Sequence, residues 1–331
     1  MRARAGSARR SFAAALRAHP AIAVGAALFG AVLLCALVVP VLWGVDPNEM
    51  AVAQRLRPPS PAHPLGTDEF GRDLLVRVMV GARSSLAVGC AVVTLSSVLG
   101  TAMGVLAAWW EPWDAVLMRV AEGLAAIPGI LLAIALVASL GAGPPSVVVA
   151  LTVVYTPGVA RIVRASALAT RGRTYVEASR VNGASEWRIL RTVVVPEALP
   201  AIVVQASFLF AQAVVAEASL SFLGAGIPAP DASLGNILHA SRAVMAKAPW
   251  MVVAPATVMM LCVLGLNLLG DGLRDALDPR VRTAARGTRR SGVRAAAASL
   301  ARTLAAPLLP GRARRTGTIA GPVRAEGCET G

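Results

Sequence analysis

The sequence predicts an all-α integral membrane protein with six transmembrane helices. The chain of 331 residues is 56% hydrophobic yet only 15% charged, its mean hydropathy is +0.65, and its apolar residues gather in long uninterrupted runs. A bilayer core of about 30 Å needs about 20 helical residues, because a helix satisfies its own backbone where no water can. Six stretches qualify: 21–44, 85–109, 115–140, 146–165, 198–223 and 250–270.

The first run follows a basic segment, 1–20, that carries Arg2, Arg4, Arg9, Arg10 and Arg17. The run is too long for a signal-peptide core and shows no small-residue cleavage site, so it reads as an uncleaved anchor. An outer loop, 45–84, comes next. Within it, 68–80 reads as an interfacial helix, with Phe70, Leu74, Leu75 and Val78 on one face and Asp68, Glu69, Arg72, Asp73 and Arg77 mostly on the other. A lid, a girdle or a docking face would each suit that pattern.

The remaining five helices fall in a core, 85–280. In the third run Arg119 and Glu122 stand one turn apart, which predicts a local ion pair, and Pro128 predicts a kink. In the fifth run Gln205, Gln212 and Glu217 are candidates for the lining of a translocation path. Hydrogen bonding between helices would account for them equally well. The last segment, 281–331, is rich in arginine. It reads as a solvated, disordered tail or as a short amphipathic helix on anionic lipid.

Arginine sets the orientation. The net charge of +14 is almost wholly arginine, Lys247 being the only lysine. With the N-terminus inside, the cytoplasmic segments hold 24 basic residues and the outer loops 7. That bias places both termini in the cytoplasm. Cys35, Cys90, Cys262 and Cys328 share no spacing, and His19, His63 and His239 stand far apart, so neither a disulfide framework nor a metal site is expected. Aromatic platforms for nucleic acid are missing too.

The segment 166–197 lies between the fourth and fifth runs and is unusually charged. Ala178, Val181, Trp187, Leu190 and Val194 recur at helical spacing, with Glu177, Arg180, Glu186, Arg188 and Arg191 between them and Gly183 interrupting. Two short helices meeting at Gly183 would make a compact knob; a solvated helical loop is the plainer alternative. From Glu177 the residues read Glu-Ala-Ser, three residues, Gly183, nine residues, then Val-Val-Val-Pro196. This resembles the EAA loop of ABC importer permeases (E-A-A, three residues, G, nine residues, I-x-L-P). Ser179 replaces the second alanine, Val193 the isoleucine and Val195 the leucine. "HPLGTDEFGRDLLVRVMVGARSSL", "AEASLSFLGAG" and "NLLGDGLRDALDPR" are similar to segments of the dipeptide/oligopeptide/nickel class, in its C-type subunit.

The resemblance implies the type I ABC importer permease fold. It also implies that Glu177, Ala178, Ser179, Gly183, Trp187 and Pro196 form a coupling loop that docks on a separate ATPase. A second, homologous permease, two ATPase subunits that use ATP and Mg, and an extracellular solute-binding protein would complete the machine in a bacterial cytoplasmic membrane. This chain would bind no cofactor itself. Consistently, Lys247 sits in "AVMAKAP" with none of the glycines and no Ser or Thr that a phosphate-binding loop requires. Dipeptides or oligopeptides are the expected solutes. Nickel-chelate import by the same architecture, an ion-coupled secondary transporter and a non-transporting scaffold are the rival readings.

Overall fold

The computed structural model describes residues 20–277, all helices and loops. The helices are α1 (Pro20–Trp43), α2 (Leu74–Trp109), α3 (Glu111–Ala125), α4 (Gly129–Leu140), α5 (Pro144–Arg171), α6 (Thr174–Val181), α7 (Glu186–Ile189), α8 (Val195–Phe222), α9 (Leu234–Ser241) and α10 (Trp250–Leu277). Five spans are each long and apolar enough to cross a membrane, and α3 with α4 makes a sixth only as a bent pair. The basic segment 1–20, apart from Pro20, and the tail 281–331 lie outside the described residues.

Small residues let the bundle close. Gly100 and Gly104, one turn apart on α2, face Val159, Ala160 and Val163 of α5, and a Cβ on Gly104 would stand 2.5 Å from the Ala160 carbonyl oxygen. Close backbone approach of this kind substitutes for the hydrophobic drive that lipid removes. Gly25 of α1 and Gly265 of α10 meet in the same way. Gly104→Ala is therefore expected to destabilise the chain by about 1–3 kcal/mol, as overpacking does. Gly123→Ala is the control, since nothing lies within 4 Å of its added methyl. Thermal unfolding of the two variants in detergent checks the difference.

Two segments depart from the sequence expectation. The third run is not a kinked helix but a broken one: α3 ends at Ala125, Pro128 precedes α4, and the two axes differ by 93°. Proline disfavours helical backbone in the residue before it, so Ile127 cannot continue α3. The expected Arg119–Glu122 pair is absent among the ion pairs of the described residues. Asp114 instead meets Arg164 of α5 in a bidentate pair at 2.5 and 2.6 Å.

The outer segment 68–80 is not an interfacial helix. Residues 68–73 form a turn closed by a bridge between Thr67 and Asp73, and helix begins only at Leu74, continuous with the membrane span. The charged face does not meet solvent either: Asp68, Arg72, Asp73 and Arg77 are buried along with Leu74 and Val78, and Phe70 is exposed. The charges satisfy one another instead of facing water. Arg72 Nε donates to Asp68 at 2.6 Å, and Arg77 donates to the Pro47 carbonyl and to Asn48 Oδ1, each at 3.0 Å. Asp73 caps α2 by accepting from the Val76 amide and also meets His63 Nδ1 at 2.8 Å. The segment before Leu74 is a folded polar plug at the head of α2.

Candidate coupling loop and cavity

The stretch between α5 and α8 folds as two short helices around a sharp corner. α6 ends in a Schellman motif: the Ala184 amide donates to the Ser179 carbonyl, the Gly183 amide donates to the Arg180 carbonyl, and Gly183 has φ +79°. Only glycine adopts that backbone without strain. Ser185 then caps α7 through the Arg188 amide. A widened π-helical turn, Leu190–Val194, joins α7 to α8. Pro196, in the first turn of α8, has no N–H to give to the preceding turn, which explains the change of pitch there.

The corner divides into an anchored side and a free side. Val176, Ile189, Leu190 and Val194 are buried against Val105, Ala108 and Trp109 of α2 and Val163 and Ala167 of α5. Glu177, Ala178, Gly183, Trp187 and Pro196 are exposed and Ser179 is partly covered. Val181 and Trp187, which the helical spacing groups with the buried stripe, are 88% and 69% exposed. Of the two, an exposed tryptophan is the residue type enriched among the anchors of protein interfaces. Arg180 donates to both Glu186 carboxylate oxygens, at 2.9 and 3.2 Å, across the corner. That hydrogen bonding, rather than burial, holds the Glu186 carboxyl below the usual carboxylate range.

A second feature lies within the bundle. A cavity of about 510 Å³ opens between α4, α5, α8 and α10, lined among others by Gly129, Tyr155, Phe208, Gln212, Val215 and Asn267. It is mostly apolar with a few amides, and the Tyr155 hydroxyl donates to the Gln212 carbonyl at 3.3 Å. Of the three polar residues singled out in the fifth run, Gln212 lines this cavity. Gln205 is half-buried and outside the lining, while Asn267 joins it from α10.

Glu217 is placed differently. It is fully buried, accepts a 2.8 Å bond from Ser221, and has Ser85 of α2 and Ser233 at the head of α9 beside it. Ser221 also accepts from the Ile227 amide, and Ser233 and Asn236 form a capping box on α9. Glu217 Oε1 thus holds the Ser221 hydroxyl and, through it, the Ile227 amide of the loop before α9, while Glu217 Oε2 has no hydrogen-bond partner; the tie from α8 to that loop runs through Ser221. Glu217→Ala is expected to loosen that loop, by about 1–3 kcal/mol for the groups left without a partner. Amide hydrogen exchange should rise at Ile227 and Leu234, and unchanged protection there would contradict the tie.

Residues 100–283 match the family described as "Binding-protein-dependent transport system inner membrane component". A Brucella abortus protein, provisionally named a peptide transport system permease protein, is 45% identical over 81% of this chain and 90% of its own length. The glutathione transport system permease protein GsiD of Pectobacterium atrosepticum is 41% identical over 81% and 89%. Among solved structures, an inward-facing MetNI methionine ABC transporter chain is 26% identical with a TM-score of 0.50, covering 60% of this chain and 94% of that one.

Proposed function

The chain belongs to the family of binding-protein-dependent transport system inner membrane components, an ABC importer permease, and from that premise we propose that it imports dipeptides or oligopeptides. Relatives named for peptide and for glutathione transport support this choice of solute. Both termini and the 166–197 loop face the cytoplasm of a bacterium, whose inner membrane the chain crosses repeatedly. A homologous permease pairs with it to enclose the cavity, and a solute-binding protein delivers peptide from outside.

The observation that carries the mechanism is the protruding corner at Gly183, apolar at its tip and fused to α8 through a continuous helical path. Two ATPase subunits dock on that corner and on the partner permease's counterpart. They use ATP and Mg; this chain holds neither. Glu177, exposed on the first turn of α6, faces a basic residue of the ATPase. ATP binding draws the ATPases together, and the corner moves as a rigid body because its inner face is packed into the bundle. Since α8 supplies Phe208, Gln212 and Val215 to the cavity wall, that movement reshapes the cavity. Solute must meet the two shapes with different affinity, or no net transport follows.

Uptake of a labelled dipeptide into vesicles carrying the whole complex tests the proposal. Uptake should follow internal ATP and persist when the proton gradient is collapsed. Uptake that follows the gradient instead would overturn it in favour of an ion-coupled carrier.

A further inference from the structure

We infer that Trp109 is the positioning residue that carries movement of the coupling corner into α2, and through α2 to the outer face. The inference rests on the transport reading above and adds a second route by which the corner acts on the bundle.

Trp109 is the last residue of α2 and is 6% exposed. Two guanidinium groups from beyond the span stand against its indole, Arg171 of α5 at 5.7 Å and Arg180 of α6 at 5.2 Å from the ring centroid. Arg171 also donates to the Ala108 carbonyl at 2.9 Å, one of the acceptors that a helix end leaves open. Both cations therefore sit at the negative end of the α2 dipole. Arg180 in turn grips Glu186 of α7 with two hydrogen bonds. One side chain thus joins the end of α2 to the last turn of α5 and to both helices of the corner.

These contacts are weak beside the apolar packing around them. A cation over an aromatic ring contributes little, and an exposed pair such as Arg180–Glu186, screened by solvent, contributes less still. The corner has buried Val176, Ile189, Leu190 and Val194 to hold it in place without them. What they add is direction, since they fix the corner to α2 in particular. The covalent route through α8 already serves the cavity wall, to which α2 contributes no residue. At its other end α2 meets the outer elements: Asp73 and Arg77 close the polar plug, Gly81 lies against Ser233, and Ser85 stands beside Glu217. With 36 residues, α2 is a rod of about 54 Å. It is long enough to carry a displacement at Trp109 to the loop that bears α9.

The test uses the complete transporter in proteoliposomes, comparing wild type, Trp109→Ala, Trp109→Phe and the double variant Arg171→Gln/Arg180→Gln. Copurification of the ATPase, ATP hydrolysis and dipeptide uptake are read on each. Trp109→Ala should keep its partners and hydrolyse ATP at close to the wild-type rate, while solute moved per ATP falls by about tenfold, within the range of ordinary coupling energies. Trp109→Phe, which retains a ring face, should restore most of that ratio. The double variant removes two partly solvent-accessible guanidinium groups and leaves the buried apolar residues intact, and it should lower the ratio in the same direction. A wild-type ratio in both Trp109→Ala and the double variant would overturn the inference alone. Loss of the ATPase from Trp109→Ala with a wild-type ratio in the double variant would reduce Trp109 to a packing residue. Absence of ATP-driven uptake in the wild-type complex would overturn the transport reading and this inference with it.

Discussion

Gly183→Trp is expected to abolish solute uptake while the protein still inserts and accumulates in the membrane. The backbone of Gly183 lies at φ +79°, in the left-handed region, where any side chain costs about 1–2 kcal/mol. That strain alone would bend the corner without unfolding the bundle. No atom of the chain lies within 4 Å of an added Cβ, so the indole would project outward, into whatever docks there. The substitution thus attacks the shape of the proposed docking surface and leaves the core alone. Gly183→Asn is the informative companion, because asparagine tolerates the left-handed conformation and is small. It should retain a measurable fraction of uptake. Transport assays, with membrane abundance and ATPase copurification measured in parallel, separate the two effects. Normal uptake by the tryptophan variant would remove the corner from the mechanism.

Gln212→Trp should stop uptake from the opposite end of the machine. Gln212 is exposed on α8 within the cavity wall, so a larger side chain enters open space rather than a packed core. An indole there would occupy a substantial share of a cavity of about 510 Å³. The coupling corner lies more than ten residues away along the helix and is untouched. Uptake is expected to fall to background while the ATPase still copurifies in wild-type amount. Gln205→Trp, at a half-buried position outside the lining, should leave the path open. Uptake undiminished in Gln212→Trp would place the path elsewhere.

The parts of the fold that were legible in the sequence are those written in local signals. Long apolar runs mark five of the spans, and the coupling motif spans only Glu177 to Pro196, so spacing alone locates the corner and its glycine. Features that depend on distant partners were misread or missed. Pro128 announces a disturbance, but neither the 93° bend nor the packing of Ala133 and Val137 against Ala150 and Leu151 of α5 is encoded in a run of residues. Asp68, Arg72 and Arg77 carry charge in a helical pattern and so look solvated. Arg77 is buried because Pro47 and Asn48, about 30 residues upstream, supply acceptors, and Asp68 and Arg72 are buried paired with each other.

Trp109 gives no sequence signal beyond closing an apolar run, since Arg171 and Arg180 lie more than 60 residues away. The same holds for Glu217. An acid in an apolar helix suggests either a wet path or a bond between helices, and the nearness of Ser85 and Ser233 is a property of the packing. Among the apolar residues that recur at helical spacing in the 166–197 loop, burial separates two groups that spacing could not. Val181 and Trp187 share the helical period of Leu190 and Val194 but end on the outer side of the corner.

Copurification bears most directly on the claim that this chain is one part of an ATP-driven importer. The tagged chain would be extracted in mild detergent and its companions identified by mass spectrometry. A second permease together with a subunit that carries a phosphate-binding loop is the expected result, and Gly183→Trp should lose the latter while keeping the former. Recovery of the wild-type chain alone from several gentle detergents, still competent for solute uptake when reconstituted, would contradict the claim.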